Sequence, residues 1–239
     1  MQKYKKLIII IISLCLISLL LYSTYKFSKS RTSQFVGEIV THVETDEKVV
    51  ALTFDDGPTD KTPEILEVLD ESNIKATFFL TGKEIEYNKE YALDIIEKGH
   101  QVGNHSYSHQ RLMLKSKKFI EYEVDKTNKI IRDLGYDGEI YFRAPYCKKL
   151  FMLPIVLKKR DITHVTWNIE PDTYLNRQYP KEDIANYVLD NISPGSIVLM
   201  HIMYDNWDEN IKALPLIVEK LHADGYKFVT LDELLEYKK

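Results

Sequence analysis

The stretch VALTFDDGPT, residues 50–59, places two adjacent aspartates at the end of an apolar run and directly before a Gly-Pro turn. A short apolar run that ends in such a turn predicts a buried strand. Neighbouring carboxylates repel each other, and neither is an ordinary surface residue at the end of a buried strand. A turn accounts for Asp56 with the glycine that follows it, but it leaves Asp55 unexplained.

Short apolar runs recur along the chain after this stretch and alternate with helical patterns. One helical pattern extends from Ser116 to Leu134 and stops at a glycine. Strand–helix alternation of this kind indicates βα units and a parallel sheet. Seven strands predict a barrel slightly smaller than the standard eight, with an open doubly wound sheet as the alternative. The predicted strands are residues 49–54, 76–81, 100–104, 140–143, 163–168, 196–201 and 226–231.

The N-terminus predicts a membrane segment. Residues 7–25 carry no charge and follow the basic stretch MQKYKK; as a helix they would span roughly 28 Å, close to the bilayer core. A cleaved signal peptide needs small residues in an A-x-A-like pattern, which LLLYSTYKF supplies poorly. We therefore expect an uncleaved anchor, with secretion after signal-peptide cleavage as the alternative.

This segment divides the chain into four predicted parts. A short cytoplasmic tail (1–6) precedes the transmembrane signal-anchor (7–25), and a stalk (26–46) leads to the catalytic domain (47–239). The expected location is the cell membrane, crossed once, with the catalytic domain outside the cell.

Charge and cysteine content exclude two classes of protein. The formal charge is −4, and because three lysines and no acid precede the apolar run, the rest of the chain carries −7. A nucleic-acid binder usually shows a basic excess, so no nucleic-acid partner is expected. Cys15 lies in the apolar run and Cys147 stands alone, so neither a disulfide framework nor a cysteine zinc site is indicated.

Polar residues follow several predicted strands at their carboxyl ends. In a parallel βα barrel these ends lie on one face, where ligands bind. Five segments would therefore converge on one site. They are Asp55 with Asp56, His105 with His109, Arg143, the stretch WNIEPDTY (167–174), and His201.

A His-x-x-x-His pair formed by His105 and His109 can reach one cation, although an isolated pair is as readily explained by surface histidines. A carboxylate from another strand end favours metal, because His, His and Asp leave one coordination position open, as in catalytic zinc sites. One aspartate can then bind the cation, whose charge offsets the repulsion felt by the other. The second stays ionised and can accept a proton from the attacking water.

Four motifs, in order, resemble those of the polysaccharide deacetylases, also called the NodB-homology family or carbohydrate esterase family 4. They are LTFDDGP, NHSYSH, FRAPY and GSIVLMH, and the resemblance covers residues 48–235. It implies a distorted (β/α) barrel that removes acetyl groups from an extracellular N-acetylhexosamine polymer, such as peptidoglycan, a chitin-like chain or an exopolysaccharide. It also implies one divalent ion, zinc by preference, although cobalt and nickel accept the same ligands. We expect a monomer.

The resemblance implies a metal site and a general base. Asp56, His105 and His109 would be the ligands, and Asp55 would be the base. Arg143 would orient Asp55, which is compatible with the simpler reading of Arg143 as a structural ion pair.

The resemblance also implies groups that act on the substrate. His201 would be the general acid that protonates the leaving amine, where the alternative is an ordinary core histidine. The backbone amide of Tyr146 would stabilise the oxyanion, and Leu199 would line the pocket for the acetyl methyl. Sugar rings could stack on Tyr107, Tyr204 and Trp207, with ordinary packing at the rim as the alternative.

The sequence departs from the family pattern in two places. Cys147 stands where the family commonly has glycine, and could narrow the cleft or approach the metal. In the fifth motif Asp172 comes one position early and Tyr174 replaces tryptophan. The candidate carboxylates of this motif are Glu170 and Asp172. We expect Asp172 to be the one that reaches the Arg143–His201 side and favours the charged form of His201; the alternative is that it caps a turn.

Two other functions are possible for a chain with these motifs. A catalytically silent cell-wall protein that binds carbohydrate could keep the same barrel, but the complete set of ligands, base and acid argues against it. A glycosidase would need two carboxylates across a cleft rather than two neighbours in sequence.

Overall fold

The structure is a computed structural model that describes residues 2–175, 179–204 and 207–239, without the side chain of Tyr174. Its central strand is β2 (Val49–Asp55), in which every residue is buried. A strand buried on both faces is typical of a parallel sheet covered by helices. The first predicted strand is therefore confirmed, and it extends as far as the first aspartate of the pair.

Parallel strands surround β2 on both sides. β3 (Thr77–Leu80) and β6 (Ser196–His201) are its neighbours, and β4 (Gln101–Asn104) pairs with β3. In the register of β2 with β6, Asp55 lies directly opposite His201. The predicted site residues at the ends of these strands therefore lie on one face.

Isolated bridges close the sheet into a distorted barrel. Phe142 bridges Asn104 on one side and β5 (His164–Val165) on the other, and Ile169 bridges β6. The predicted strand at 140–143 is thus reduced to one bridging residue. All ladders between strands are parallel, which confirms the predicted parallel α/β architecture.

The last predicted strand, 226–231, is also shorter than expected. β7 (Lys227–Phe228) pairs only with the first two residues of β2. The chain then enters α10 (Leu231–Glu236), because Thr230 and Glu233 form a capping box that starts a helix.

Helices connect the strands, and the helix predicted between Ser116 and Leu134 is confirmed. Its N-cap is Ser116, whose hydroxyl accepts the backbone N–H of Phe119; its buried face includes Ile120 and Val124. The connecting helices are α2 (Thr62–Glu71), α3 (Gly82–Tyr87), α4 (Lys89–Glu97), α5 (Lys117–Asp133), α6 (Met152–Lys158), α7 (Pro171–Tyr174), α8 (Lys181–Asn191) and α9 (Asp208–Ala223).

The main core lies between β2 and the helices outside it. Ile65, Leu66 and Leu69 on one face of α2 are buried in the same cluster as Leu52 and Phe54 of β2. Complete burial of each such side chain contributes about 1.5–3 kcal/mol. This packing fixes the strand whose end carries the two aspartates.

The N-terminal helix α1 (Gln2–Ser28) is long and apolar enough to cross a membrane, by length and composition. The segment after it, predicted as a stalk, packs against the barrel. β1 (Ile39–Val40) pairs in parallel with β5, and Ser28 is already buried. Residues 26–46 therefore differ from a free stalk.

Candidate active site

The carboxyl ends of the strands surround a cavity of about 1240 Å³. Every predicted site residue except Arg143 and Tyr107 lines it. These lining residues are Asp55, Asp56, His105, His109, Tyr146, Asp172, Leu199, His201 and Trp207.

Asp55 forms a buried ion pair with Arg143. The Nη1 group of Arg143 donates to Oδ1 of Asp55 at 2.7 Å and to the hydroxyl of Thr53 at 2.8 Å, while Nη2 donates to the carbonyl of Thr166 at 3.0 Å. Burial alone would raise the pKa of Asp55, but the charge and hydrogen bond of Arg143, together with the nearby His105 and His201, outweigh it and hold the pKa below its usual value. Asp55 is therefore an ionised carboxylate with a fixed orientation.

Asp56 has different partners from Asp55. Its backbone is left-handed, with φ of 72°, and Oδ1 lies 3.2 Å from Nε2 of His109. Ligand atoms of Asp56, His105 and His109 lie within 4.8 Å of one another. Arg143 is therefore paired with Asp55 and His109 with Asp56, while Nε2 of His105 lies between the two aspartates, 3.7 Å from Oδ2 of Asp55 and 3.9 Å from Oδ1 of Asp56.

Both histidines have features that suit a metal ligand. Nδ1 of His105 donates to the carbonyl oxygen of Arg143 at 2.9 Å, which leaves Nε2 as the ring nitrogen that can face a metal, as in many metal-bound histidines. Burial lowers the pKa of His109 to about 4. Neutral imidazoles and a carboxylate form a donor set that suits zinc and similar divalent ions.

Glu123 on α5 supports the loop that carries both histidines, and the sequence analysis did not identify it. Its buried carboxylate accepts the backbone N–H groups of Tyr107 and Ser108 at 3.1 and 2.8 Å, and the Ser108 hydroxyl at 2.8 Å. Within the loop, the hydroxyl of Ser106 accepts the N–H of His109 at 3.1 Å. The sequence signal for Glu123 was an acidic residue on the apolar face of the predicted helix.

His201 is paired with Asp172. Oδ2 of Asp172 accepts from Nδ1 of His201 at 2.8 Å and from its backbone N–H at 2.9 Å, and Asn210 donates to Oδ1 at 2.7 Å. Burial alone would lower the pKa of His201, but the hydrogen bond and charge of Asp172, with smaller contributions from Asp55 and Asp56, raise it to about 9. The ring of Trp207 stacks on His201 with centroids 5.6 Å apart.

The structure places the other predicted residues as follows. Tyr146 has φ of 57°, and its exposed ring lies at the cavity rim. Leu199 is buried in the cavity wall. Tyr107 lies outside the lining, because Lys126 covers its ring with Nζ 3.5 Å from the centroid. Trp207 lies at the rim, against the imidazole of His201.

The two departures from the family pattern have structural consequences. The Sγ atom of Cys147 lies 3.8 Å from the carbonyl oxygen of Ser30, and Cys147 is not part of the metal-ligand group. Glu170 of the fifth motif forms an ion pair with Arg31. The side chain of Tyr174 lies outside the described part of the structure.

The sequence pattern of the Polysaccharide deacetylase family matches residues 42–179. A peptidoglycan-N-acetylglucosamine deacetylase of Bacillus cereus is 30% identical over 214 residues, which cover 84% of this chain and 95% of that protein. The chain belongs to the polysaccharide deacetylase family. Relatives in this family are named as deacetylases of peptidoglycan and of chitooligosaccharides, and the resemblance found in the motifs is confirmed.

Other members of the deacetylase family share the fold. A crystal structure of a peptidoglycan N-acetylglucosamine deacetylase matches with a TM-score of 0.78 at 30% identity, covering 84% of this chain and 95% of that one. A pseudoenzyme of carbohydrate esterase family 4 from Bacillus anthracis matches with a TM-score of 0.76 at 26% identity, covering 86% of this chain and 71% of that one. Fold alone therefore does not establish activity within the family.

Proposed function

We propose that this polysaccharide deacetylase releases acetate from N-acetylhexosamine residues of an extracellular glycan, with Asp55 as general base and His201 as general acid. The observation that carries the proposal is the division of the adjacent aspartates. Asp55 is held by Arg143, while Asp56 faces His109. Two carboxylates with different partners can do different chemistry.

Asp56, His105 and His109 would hold the divalent ion. Three protein ligands leave a coordination position open, and the fixed tautomer of His105 directs a lone pair toward the other two. When bound, such an ion supplies Lewis acid chemistry that polarises the acetyl carbonyl and lowers the pKa of water.

The remaining residues move protons and stabilise charge. Asp55 accepts a proton from the attacking water, in an orientation fixed by Arg143. His201, whose pKa is raised to about 9, is protonated at neutral pH and donates through Nε2 to the leaving amine nitrogen. The backbone N–H of Tyr146 has no acceptor among the described residues, so it is free to donate to the oxyanion.

The substrate class follows from the relatives and the cavity. A relative in Bacillus subtilis, named peptidoglycan-N-acetylmuramic acid deacetylase PdaC, is 32% identical over 198 residues, 82% of this chain and 41% of that protein. The cavity exposes aromatic rings of Tyr146 and Tyr204 and the indole of Trp207 at its rim. Leu199 would accept the acetyl methyl, and rim aromatics would stack on sugar rings. We propose peptidoglycan as the first substrate to test.

We propose that α1 anchors the enzyme in the cell membrane. In this arrangement residues 1–6 are cytoplasmic, 7–25 cross the bilayer, and 47–239 act outside the cell. N-terminal sequencing tests it, because an intact anchor begins at or near Met1 in the membrane fraction. A chain that begins between residues 23 and 29 in the soluble fraction would contradict it.

Acetate release from the full-length enzyme in detergent tests the activity. Substrates are N-acetylglucosamine oligomers and purified peptidoglycan, each with chelator and after restoring Zn²⁺, Co²⁺ or Ni²⁺. Release that depends on metal and is lost in Asp55→Asn supports the proposal. No release from any substrate with any metal favours the silent alternative, for which the pseudoenzyme relative is a precedent.

A further inference from the structure

The residues that join α1 to the barrel form one wall of the cavity. Lys29, Ser30 and Arg31 all line it. The backbone N–H of Lys149 donates to the carbonyl of Ser28 at 2.8 Å, and its ammonium donates to the carbonyl of Ser30. Because Lys149 is only 1% exposed, this cleft wall (residues 28–31) is fastened to the loop that follows Tyr146.

The side chain of Arg31 completes a buried cluster beside the cavity. Its guanidinium forms an ion pair with Glu170 and lies over the ring of Trp167, 4.8 Å from the centroid. The indole Nε1–H of Trp167 also donates to Glu170, at 2.9 Å. Glu170 is 8% exposed, and a buried carboxylate without its cation is strongly destabilised. Arg31 therefore keeps this side of the cavity in place.

Three hydrogen bonds connect the cleft wall to the proposed base. The hydroxyl of Thr166 donates to the backbone carbonyl of Arg31 at 2.8 Å. The carbonyl of Thr166 accepts from Nη2 of Arg143 at 3.0 Å, and Nη1 of Arg143 donates to Asp55 at 2.7 Å. Nε of Arg143 has no partner among the described residues, so these few bonds determine how its guanidinium is oriented.

We infer that Arg31 is a positioning residue of the deacetylase. Its guanidinium, held by Glu170 and Trp167, fixes the place of its own backbone carbonyl. That carbonyl binds Thr166, and Thr166 in turn binds Arg143, which orients Asp55. The inference rests on the proposed function, since it takes Asp55 as the base. By this inference, the part of the chain that catalysis requires begins with the cleft wall (residues 28–31), before the first strand of the barrel. A soluble form that begins at residue 32 lacks the positioning residue, although it keeps every strand.

Full-length variants in detergent test this inference. Arg31→Gln removes the charge but keeps a polar side chain, and Arg31→Lys keeps the charge without the planar fork. Arg160→Gln is the matched control, because Arg160 is 24% exposed against 25% for Arg31 and is likewise paired with an acid, Asp125. Thr166→Val removes the hydroxyl in the path, and the variant that combines it with Arg31→Gln completes a double-mutant cycle.

Arg31→Gln is expected to lower kcat about tenfold while KM changes less than about twofold, because a small displacement of the base slows the chemical step. Arg31→Lys should be intermediate. The double variant should be no slower than Thr166→Val alone, since both act through one path. Backbone hydrogen exchange in residues 140–144 and 163–168 should quicken in Arg31→Gln and not in Arg160→Gln.

Other outcomes would overturn the inference. A lower melting temperature with unchanged kcat means that Arg31 is only structural. A higher KM with unchanged kcat means that it binds substrate directly, and effects that multiply in the double variant mean that the two residues act separately. If the unmodified enzyme releases no acetate, the proposed function fails on its own. Hydrogen exchange then decides the inference, and equal exchange in Arg31→Gln and Arg160→Gln overturns it.

Discussion

Replacing Asp172 by asparagine tests the charge that it places beside His201. Asp172 accepts both the backbone N–H and the Nδ1–H of His201, and Asn210 holds its other oxygen. Asparagine keeps the shape and can still accept from Nδ1–H, but it removes the negative charge. Burial, which lowers the pKa of His201, is then no longer outweighed by Asp172.

The size of the effect follows from the pKa of His201. It is raised from 6.5 to about 9. If Asp172→Asn returns it to about 6.5, the protonated fraction at pH 8 falls from about 0.9 to about 0.03. Deacetylation that needs protonated His201 should then slow about 30-fold at pH 8, and by less than about twofold at pH 6.

The same interaction predicts how stability depends on pH. The folded pKa of His201 lies above its unfolded value, so its contribution is fully present below about pH 6.5 and is lost as the pH rises through about 9. The difference corresponds to about 3 kcal/mol. Asp172→Asn should therefore lower the free energy of unfolding by about this much near pH 6, and by much less near pH 10.

The assay is the pH dependence of kcat/KM for acetate release, from about pH 5.5 to about pH 10. Asp232→Asn is the control, because Asp232 is also an acid that accepts a side-chain hydrogen bond, from the hydroxyl of Tyr141 at 2.7 Å. Its backbone N–H donates to Gln101, which lies at the end of β4 opposite the site. A bound cation lowers the pKa of His201 in both proteins, so the difference between profiles is the measured quantity. If the alkaline limbs of the unmodified enzyme and Asp172→Asn coincide, and the variant loses only stability, the reasoning is refuted and Asp172 is a turn residue.

Four further substitutions test the rest of the site. His109→Ala should lower metal content and activity together, and the exposed His222→Ala should lower neither; unchanged metal content in His109→Ala would mean that the ligand set is wrong. Asp55→Asn should keep the metal but lose most turnover, because the amide cannot accept the proton of water; full turnover would remove Asp55 from the mechanism. His201→Ala should keep the metal and slow the reaction by about 10²–10⁴, and a normal rate would exclude it as the acid. Glu123→Gln should weaken metal binding by about 10–100-fold, as expected for a group that supports ligands; an unchanged metal Kd would limit Glu123 to stabilising α5.

The barrel and the grouping of Asp56, His105 and His109 could be predicted from the sequence because their determinants are local. An apolar run ending in Asp55 and Asp56 predicts a buried strand with polar residues at its end, and parallel topology brings such ends together. Ser116 and the spacing of apolar residues after it predict α5 in the same way. In each case, neighbouring residues determine the structure.

Other features depend on partners that are distant in sequence. Glu170 pairs with Arg31, which lies 139 residues earlier in the chain. The residues around Glu170 do not indicate whether its partner is Arg31 or His201. Lys126 covers Tyr107 from α5, so an aromatic residue next to a ligand motif lies outside the cavity. Of the predicted strand 140–143, only Phe142 forms bridges, and its partners are Asn104 and His164. Such outcomes follow from tertiary packing, which local propensity does not encode.

If α1 anchors the enzyme in the membrane, as proposed, its direct passage into the cleft wall restricts where the enzyme can search for substrate. Lys29 lines the cavity only four residues after Tyr25, the last residue of the apolar run, a helix rise of about 6 Å. In the anchored form, the mouth of the cavity stays close to the outer bilayer surface, because no flexible tether lets it swing away. The enzyme then encounters glycan by lateral diffusion in two dimensions. In this form the enzyme would reach only the glycan segments that lie close to the membrane, whatever the thickness of the cell wall.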